Sequence, residues 1–452
     1  MKKTLLLHLF LFVIFSATGQ NYYMAQPEGF GAVTTGGGNA NPVTVTTYAQ
    51  LKTALTSTSV ANAVILVSGT IDCVYTSVLL NNKTIIGLPG ARLRNTQITV
   101  GDSPTSAANS GILYIKPGSS NVIIRNLIFE GPGAYDVDGR DNLTNEGKNV
   151  WVDHCEFQDG MDGNFDIKGT ADNVTVSWCK FTYLKAPIAG GSGGSADHRF
   201  SGLIGSGITD FPTDGRFSVT LQNCYWAEGC KARMPRARNA EIHLINCYYK
   251  TSVSGASAIG LGAGNQGTTC YVENCNFEQV ATISSPVNEG SGTTVVKFDG
   301  CIKGTVPTAV TGLDKGTATK PTYSYTVFPV EDVANFIANP TCGAGATLNV
   351  TADGVMSSCG GPLNVDKNAL QMGINYYPTM IDSELNINFS DLLAGKTALT
   401  IYDESGKKVL SFAKEVVFHD TLTIDLSQLP KGLYLCHLKV GEKIASWKVI
   451  KK

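Results

Sequence analysis

The chain repeats one short pattern of hydrophobic and polar positions along most of its length. In each copy apolar and polar residues alternate, a turn residue that is often Asn follows, and Leu or Cys then opens a second short apolar segment. The copies occupy 121–129, 149–157, 173–181, 218–226, 241–249, 270–277 and 294–301. Alternation with a period of two is typical of a strand with one buried face. Each copy therefore predicts two short strands joined at a turn.

The spacing of the copies predicts how they assemble. The equivalent positions are Leu127, Cys155, Cys179, Cys224, Cys247, Cys275 and Cys301, with one longer step between Cys179 and Cys224. The regular steps fall within the ~20–50-residue period of solenoid proteins, and no helical segment separates the strands. We therefore predict an all-β parallel β-helix. A leucine-rich horseshoe is the alternative, but its Leu-x-x-Leu-x-Leu signature is missing.

Stacking of the coils predicts rows of equivalent side chains. Asn126, Asn223, Asn246 and Asn274 would share one turn, where amide groups can hydrogen-bond from coil to coil. The Cys residues at the next position are expected to be packed thiols, with disulfides as the alternative. Cys342 and Cys359, which lie outside the repeat, are the residues for which disulfide bonds are expected.

The two ends of the chain differ from the repeat. Residues 1–19 carry Lys2 and Lys3 before an apolar stretch too short to span a ~30 Å hydrocarbon core, which predicts a secretory signal peptide rather than a membrane anchor. No later segment is predicted to span a bilayer. Residues 20–360 are predicted to form the β-helix and 361–373 a linker. Strands predicted at 385–389, 397–402, 408–412, 421–426 and 432–439 make 374–452 a small β-sandwich.

Composition narrows the function classes. The chain has 35 Lys and Arg against 37 Asp and Glu, so no basic excess predicts nucleic-acid binding. The 49 Gly residues and a charged fraction of 16% favour a turn-rich β protein. No nucleophile elbow, His-Glu-x-x-His zinc motif, phosphate loop or dinucleotide fingerprint occurs. To bind a polyanion, the protein would need a local cluster of basic residues.

Acidic residues form one candidate site. Asp136, Asp138 and Asp141 lie close together, and Asp162 and Asp166 follow about one coil later. Because neighbouring coils stack ~4.8 Å apart, carboxylates at matching positions can converge. Calcium prefers such oxygen ligands. The alternative is that these Asp residues are simply solvated in Gly-rich turns.

Basic residues form a second candidate site. Lys231, Arg233, Arg236 and Arg238 lie between two predicted strands, after a long Gly-rich insertion at 186–216. Long insertions on a rigid scaffold commonly serve a site, and Arg binds carboxylates bidentately. The pattern favours an acidic polysaccharide, with a plain surface loop as the alternative. His154, on the repeat, is expected to have a structural role.

A set of ordered motifs resembles the pectate lyase superfamily, specifically family 1 polysaccharide lyases. The motifs are VWVDHC at 150–155, DGNFDIK at 162–168, VTVSW at 174–178, LIG at 203–205 and RMPRAR at 233–238. The resemblance covers residues 27–345. It implies a right-handed parallel β-helix and calcium-assisted β-elimination of α-1,4-linked polygalacturonate, giving unsaturated oligogalacturonides.

The resemblance also implies roles for individual residues. Asp162 and Asp166 match the family's calcium pair, Asp141 matches the acidic residue one coil earlier, and Asp138 is an additional candidate ligand. Arg233 matches the proposed catalytic base and Arg238 the substrate-binding Arg. Phe200 stands where the family often has Lys, so Arg199 or Lys185 is expected to supply that cation. Arginine has a pKa above ~12, so activity should rise in alkaline buffer.

The C-terminal segment resembles the type IX secretion sorting domain of Bacteroidota. The likeness rests on 375–378, 401–407, 429–434 and 448–450. It implies export by the type IX machinery to the medium or the cell surface; a carbohydrate-binding module is the alternative.

For the whole chain the competing functions are a pectin lyase, a hydrolase with paired Asp, and a non-catalytic β-helix that binds glycans.

Overall fold

The computed structural model describes residues 22–98, 110–137, 140–357, 374–377, 380–389, 395–403, 407–417, 419–441 and 443–452. These residues form two compact units, which are separated in the chain by residues 358–373. The predicted signal peptide at 1–19 and the predicted linker at 361–373 lie outside the described residues. Within the described part of the chain, no helix is long and apolar enough to cross a membrane.

The first unit is built on three sheets of mostly parallel strands. The first sheet contains β1 Val43–Val45, β2 Val64–Val67, β5 Asn81–Gly87, β8 Ser120–Arg125, β11 Lys148–Asp153, β14 Asp172–Ser177, β17 Phe217–Gln222, β20 Ala240–Ile245, β23 Thr268–Glu273 and β26 Thr294–Asp299. The second contains β3 Thr70–Asp72, β6 Arg92–Arg94, β9 Ile128–Glu130, β12 Glu156–Gln158, β15 Lys180–Thr182, β18 Tyr225–Trp226, β21 Tyr248–Lys250, β24 Asn276–Gln279, β27 Ile302–Lys303 and β28 Thr308–Ala309. The third contains β4 Thr76–Val78, β7 Leu113–Ile115, β10 Leu143–Asn145, β13 Phe165–Ile167, β16 Leu203–Ile204, β19 Arg236–Ala237, β22 Ser257–Gly262 and β25 Thr282–Val287. The predicted parallel β-helix is confirmed.

The register of the coils follows the sequence pattern. Val150 on β11 pairs with Val122 of the preceding coil and with Val174 of the following one, and all three are fully buried. A slip of one residue would turn this row of Val side chains outward, so their burial fixes the register. The alternation in the sequence thus decides how the coils stack.

Two rows of side chains fill the interior. The thiols of Cys155, Cys179, Cys224, Cys247, Cys275 and Cys301 are buried and free, as predicted. Beside them Phe129, Phe157, Phe181, Trp226, Tyr249 and Phe277 stack in order, with ring centroids 4.4–5.4 Å apart. Cys342 is disulfide-bonded, whereas Cys359 lies outside the described residues.

The predicted Asn turn is present, but its hydrogen bonds differ from the prediction. Asn126, Asn223, Asn246 and Asn274 all have φ between 46° and 58°, a conformation that Asn tolerates better than most residues. Three of the amides donate to backbone carbonyls, those of Asn126, Asn246 and Asn274, and Asn246 Nδ2 donates to Asn274 O at 3.2 Å and to Phe328 O at 2.9 Å. The Phe328 carbonyl thus takes the place of an amide-to-amide bond between Asn246 and Asn274.

Helices and a late segment cover the solenoid. Helix α1, Tyr48–Thr56, starts with a capping box formed by Thr47 and Gln50, and it buries Leu51 against the interior core. Helix α2 spans Val333–Ile337, and short 3-10 helices lie at Gly29–Gly31, Val60–Asn62 and Val330–Asp332. A small hairpin joins β29 Asn349–Val350 to β30 Met356–Ser357.

The second unit is the predicted small sandwich of two sheets. One sheet contains β31 Ile374–Tyr377, β33 Glu384–Phe389 and β36 Thr421–Asp425, and the other contains β32 Met380–Ile381, β34 Gly395–Asp403, β35 Lys408–Val416, β37 Gly432–Val440 and β38 Lys443–Lys451. Leu385 of the first sheet and Leu399 and Trp447 of the second belong to one hydrophobic core. Each strand of the sandwich has one face in this core, which is why its apolar and polar residues alternate and why the sequence predicted it.

Candidate active site

The third sheet of the solenoid gathers the predicted acidic and basic residues. Its strands β10, β13, β16 and β19 come from four successive coils and lie side by side. Asp141 precedes β10, Asp166 lies on β13, and Arg233 and Arg238 flank β19. The positive charge of Arg233 acts on both carboxyl groups and favours their ionised forms. The fold therefore brings residues that are distant in sequence to one side of one sheet.

Asp141 and Asp166 face a common space at Gly163. A Cβ atom on Gly163 would lie 2.7 Å from Asp141 Oδ1 and 3.4 Å from Asp166 Oδ1. Asp141 Oδ1 is buried and accepts no hydrogen bond from a described residue, whereas Oδ2 accepts one from Thr144 at 2.8 Å. Asp166 Oδ1 accepts one from the Leu203 N–H at 2.9 Å. A buried, unpartnered carboxylate oxygen beside a second carboxylate suits a hard cation.

The protonation of this pair reflects burial and mutual repulsion. Burial raises the pKa of Asp141 above its ordinary value, and the charge of Asp162 adds to the rise while that of Lys168 opposes it. Burial also raises the pKa of Asp166, with Asp141 as the second cause. Carboxylates that repel one another in a buried site are stabilised when a cation binds between them.

Lys168 is a site residue that the sequence interpretation did not single out. Burial alone would lower its pKa, but the charges of Asp141, Asp166 and Glu146 outweigh burial and raise the pKa. Lys168 follows Asp166 by two residues on the continuation of β13, so both side chains lie on one face. That period-two spacing was the signal available in the sequence.

Asp162 contacts a buried histidine from the long insertion. His198 Nε2 lies 3.2 Å from Asp162 Oδ1, and His198 Nδ1 lies 3.0 Å from Asp136 Oδ1. The ring of His198 also packs on Phe200, with centroids 4.1 Å apart. The insertion therefore contributes to the acidic side of the site.

Arg233 is held at an unusual backbone position between two coils. Its φ is 56°, its carbonyl accepts the Gly202 N–H at 2.8 Å, and the next residue, Met234, donates to Ala258 O at 2.9 Å. The guanidinium lies over the ring of Phe200, 4.8 Å from the centroid, and its Nε is buried without a hydrogen bond to any part of the chain that the structure describes. Residues with a strained backbone are often found at functional sites. Arg233 is therefore rigidly placed and free of a carboxylate partner among the described residues.

The other arginines of the basic segment share one carboxylate. Arg236 Nη2 lies 2.6 Å from Glu289 Oε1, and Arg238 Nε pairs with Glu289 Oε2. Arg238 also donates to the Gly205 carbonyl at 3.0 Å. Both side chains are thus held by a carboxylate that lies outside the basic segment.

Comparison with known proteins assigns the family. The family model described as pectate lyase matches residues 3–347, which is more than half of the chain. The chain belongs to the pectate lyase family. A second model, described as a secretion system C-terminal sorting domain, matches residues 375–452 of the sandwich unit.

Pectate lyase relatives are found by sequence and by structure. A pectate trisaccharide-lyase of Thermotoga maritima is 32% identical over 51% of this chain and 56% of its own length, and one of Bacillus licheniformis is 28% identical over 69% and 84%. The chain thus spans a little over half the length of the first of these relatives. Among solved structures, a pectate lyase from Paenibacillus has a TM-score of 0.55 at 18% identity, covering 73% of this chain and 97% of that one. A Bacillus subtilis pectate lyase variant has 0.53 at 19%, covering 73% and 98%.

The remaining predicted site residues of this pectate lyase family member have local partners. Arg199 binds Asp197 through Nε and Nη2, both at 2.7 Å. Lys185 Nζ donates to the Gly131 carbonyl at 2.7 Å and lies 3.7 Å from Glu130. Their role as substitutes for the family Lys stays a prediction, and Asp138 lies outside the described residues. Asp136 belongs to the predicted acidic cluster, whereas Lys168 and Glu289 are site neighbours that the prediction did not include.

Proposed function

We propose that this protein is a secreted, calcium-dependent pectate lyase that cleaves α-1,4-linked polygalacturonate by β-elimination and releases unsaturated oligogalacturonides. The observation that carries the proposal is the placement of the Asp141–Asp166 pair and Arg233 within four successive coils of one sheet. Membership of the pectate lyase family and two relatives named pectate trisaccharide-lyases support it.

Three carboxylates would hold the calcium ion. Asp141, Asp162 and Asp166 supply oxygen ligands only, and the unpartnered Asp141 Oδ1 and the space at Gly163 fit a hard cation. When bound, calcium supplies positive charge that offsets the negative charge developing beside the uronate carboxylate. Arg238 and Lys168 would bind further carboxylates of the chain, and Arg199 and Lys185 are the remaining candidate substrate contacts.

Arg233 would perform the proton transfer. The C5 proton of a uronate is α to a carboxylate, so a base placed beside it can remove it. The neutral guanidine of Arg233 accepts that proton, the released electron pair forms the C4–C5 double bond, and the C4–O bond breaks. The leaving oxygen takes a proton from solvent. The basic segment thus both binds the acidic chain and reacts with it.

Export to the medium or the cell surface is part of the proposal. The sorting-domain match at 375–452 supports recognition by the type IX secretion machinery. The charged start and short apolar stretch of residues 1–19 support a signal peptide that is removed first. An extracellular location suits an enzyme whose polymeric substrate cannot enter a cell.

The Gly163→Ala variant tests the calcium site. The added methyl group would lie 2.7 Å from Asp141 Oδ1 and displace it, so we expect calcium affinity to fall about tenfold or more, as when a group that orients a ligand is lost. The measurement is a calorimetric calcium titration. Gly207→Ala is the matched control, because a Cβ atom there meets nothing within 4 Å. Equal affinities in both variants would remove these Asp residues from the calcium site.

The function itself is tested with purified full-length protein and polygalacturonate. We expect ultraviolet absorbance from unsaturated chain ends to rise with calcium and to stop rising when a chelator is added. Reducing ends without absorbance would indicate a hydrolase, and activity on methylated pectin without calcium would indicate a pectin lyase. Binding without cleavage would indicate a glycan-binding β-helix. The relatives' names make an unsaturated trisaccharide the product to look for first.

A further inference from the structure

His198 brings a nitrogen ligand to the edge of the acidic site. The residue is only 4% exposed, and its two ring nitrogens lie 3.0 Å and 3.2 Å from oxygens of Asp136 and Asp162. Neither nitrogen forms a hydrogen bond to a described residue, although both oxygens are close. Buried polar groups are nearly always hydrogen-bonded, so this ring needs an explanation.

We propose that His198 Nε2 and Asp162 bind a divalent cation of the zinc type, with Asp136 orienting the ring through Nδ1. Each of the three residues offers a ligand atom, and these atoms lie within 4.8 Å of one another. Zinc bonds to nitrogen and oxygen measure ~2.0–2.2 Å, so two ligands of one tetrahedral ion lie roughly 3.3–3.6 Å apart. The 3.2 Å separation of Nε2 from Asp162 Oδ1 is close to this range, and such an oxygen stands off the ring axis.

The second carboxylate fits the same arrangement. A metal-binding His usually donates its other ring N–H to a carboxylate, which fixes the ring and its tautomer. Asp136 Oδ1 lies 3.0 Å from Nδ1, and a small rotation of the ring on metal binding would bring that N–H into line with it. Its own Oδ2 accepts the Ser195 N–H at 2.6 Å, and its carbonyl accepts the Gly193 N–H at 2.8 Å. Both donors belong to the insertion that carries His198, so the backbone of the insertion is hydrogen-bonded to Asp136.

The donor set favours a borderline cation over calcium. Calcium takes six to eight oxygen ligands, whereas imidazole suits zinc, copper and nickel. The neighbouring Asp141–Asp166 pair offers oxygen alone, and the His198 cluster offers nitrogen and oxygen. Two adjacent sets of ligands with different ion preferences therefore meet at Asp162.

Sharing of Asp162 predicts competition between the two ions. If calcium uses Asp141, Asp162 and Asp166, as the proposed function requires, zinc on His198 takes one calcium ligand away. We expect zinc to inhibit the lyase reaction and excess calcium to relieve the inhibition. This consequence rests on the proposed function, whereas zinc binding itself does not.

The test is a calorimetric titration of the full-length protein with zinc chloride in the absence of calcium. We expect His198→Gln to abolish binding and Asp136→Asn to weaken it about 10- to 100-fold, the usual loss when a ring-orienting carboxylate is removed. Asp197→Asn is the matched control, because this carboxylate of the same insertion pairs with Arg199 and Lys231 outside the cluster. Thermal unfolding without metal checks that each variant folds.

The outcomes separate this proposal from the proposed function. Absence of zinc binding, or equal zinc affinity in the wild type, His198→Gln and Asp136→Asn, would overturn the site. A zinc affinity unaffected by saturating calcium would overturn the sharing of Asp162. None of these measurements uses the lyase reaction, so a failed activity assay leaves them interpretable.

Discussion

Replacing Arg233 by Ala is expected to lower the rate of unsaturated-product formation by about 10²- to 10⁴-fold, the usual contribution of a positioned proton-transfer group. Arg233 lies over Phe200 and carries no carboxylate partner among the described residues, so the variant removes a reactive group and no ion pair. The measurement is the initial rate of absorbance increase on polygalacturonate at saturating calcium.

Two controls accompany the Arg233→Ala measurement. Arg216→Ala removes the arginine at the end of the 186–216 insertion, which bonds to Thr269 on the first sheet, and its rate should match the wild type. Calcium affinity of Arg233→Ala, measured by calorimetry, should remain at or above the wild-type value, because a positive charge near Asp141 and Asp166 has gone. A rate within a few-fold of wild type would remove Arg233 from the reaction.

The pH profile adds an independent test of the same assignment. Neutral guanidine is scarce for any arginine at neutral pH and becomes about tenfold more abundant with each pH unit below its pKa. Activity of the wild type at saturating calcium should therefore rise from neutral to alkaline buffer. A profile that is flat, or highest in acid, would assign the proton transfer to a different group.

The solenoid could be predicted because one residue pattern decides both its strands and its stacking. Val122, Val150 and Val174 show the period of two, and their recurrence places them on one buried row. The Cys row followed from the same spacing. A local pattern that repeats gives long-range information, since each coil contacts chiefly its neighbours.

The Asn turn shows where that reasoning fails. The repeat placed Asn246 and Asn274 in adjacent coils, but their amides bond to the backbone of Phe328 and of Asn274. The covering segment that supplies Phe328 has no counterpart in the repeat, so its position depends on tertiary packing. His154 and Trp178 stand in the same turn with φ of 46° and 50°, which the Asn signal did not reveal.

Some residues of the candidate site could be predicted from the repeat and others could not. Asp141, Asp166 and Arg233 lie on or beside repeat strands, so their convergence followed from the stacking of coils. His198 and Glu289 lie on loops whose paths the repeat does not constrain, and neither could be placed beside Asp162 or Arg238 from sequence. The resemblance to the family predicted candidate ligands on the scaffold and did not predict a contribution from the insertion.

Replacing Asp153 by Asn is expected to destabilise the first unit by about 3–5 kcal/mol, the usual cost of breaking a buried ion pair at one partner. Asp153 is fully buried, and its Oδ2 lies 2.7 Å from Arg125 Nη2 and 2.9 Å from His154 Nδ1. Ser177 donates to Oδ1 at 2.6 Å. The variant would leave Arg125 buried, 4.4 Å from the Trp151 ring centroid, without its carboxylate. Denaturant unfolding at neutral pH measures the loss.

The pH dependence of that loss distinguishes a charge effect from a packing effect. Burial alone would raise the pKa of Asp153, but His154 and Arg125 outweigh burial and lower it. A lowered pKa in the folded state contributes stability that is full above the unfolded value of ~3.9 and is lost as pH falls through the folded value. The difference in the free energy of unfolding between the wild type and Asp153→Asn should therefore become smaller below about pH 4.

Asp72→Asn is the control, because it breaks an exposed ion pair with Arg94 and should lower the free energy of unfolding by at most about 1 kcal/mol. An equal loss of stability in both variants would contradict the buried-charge explanation.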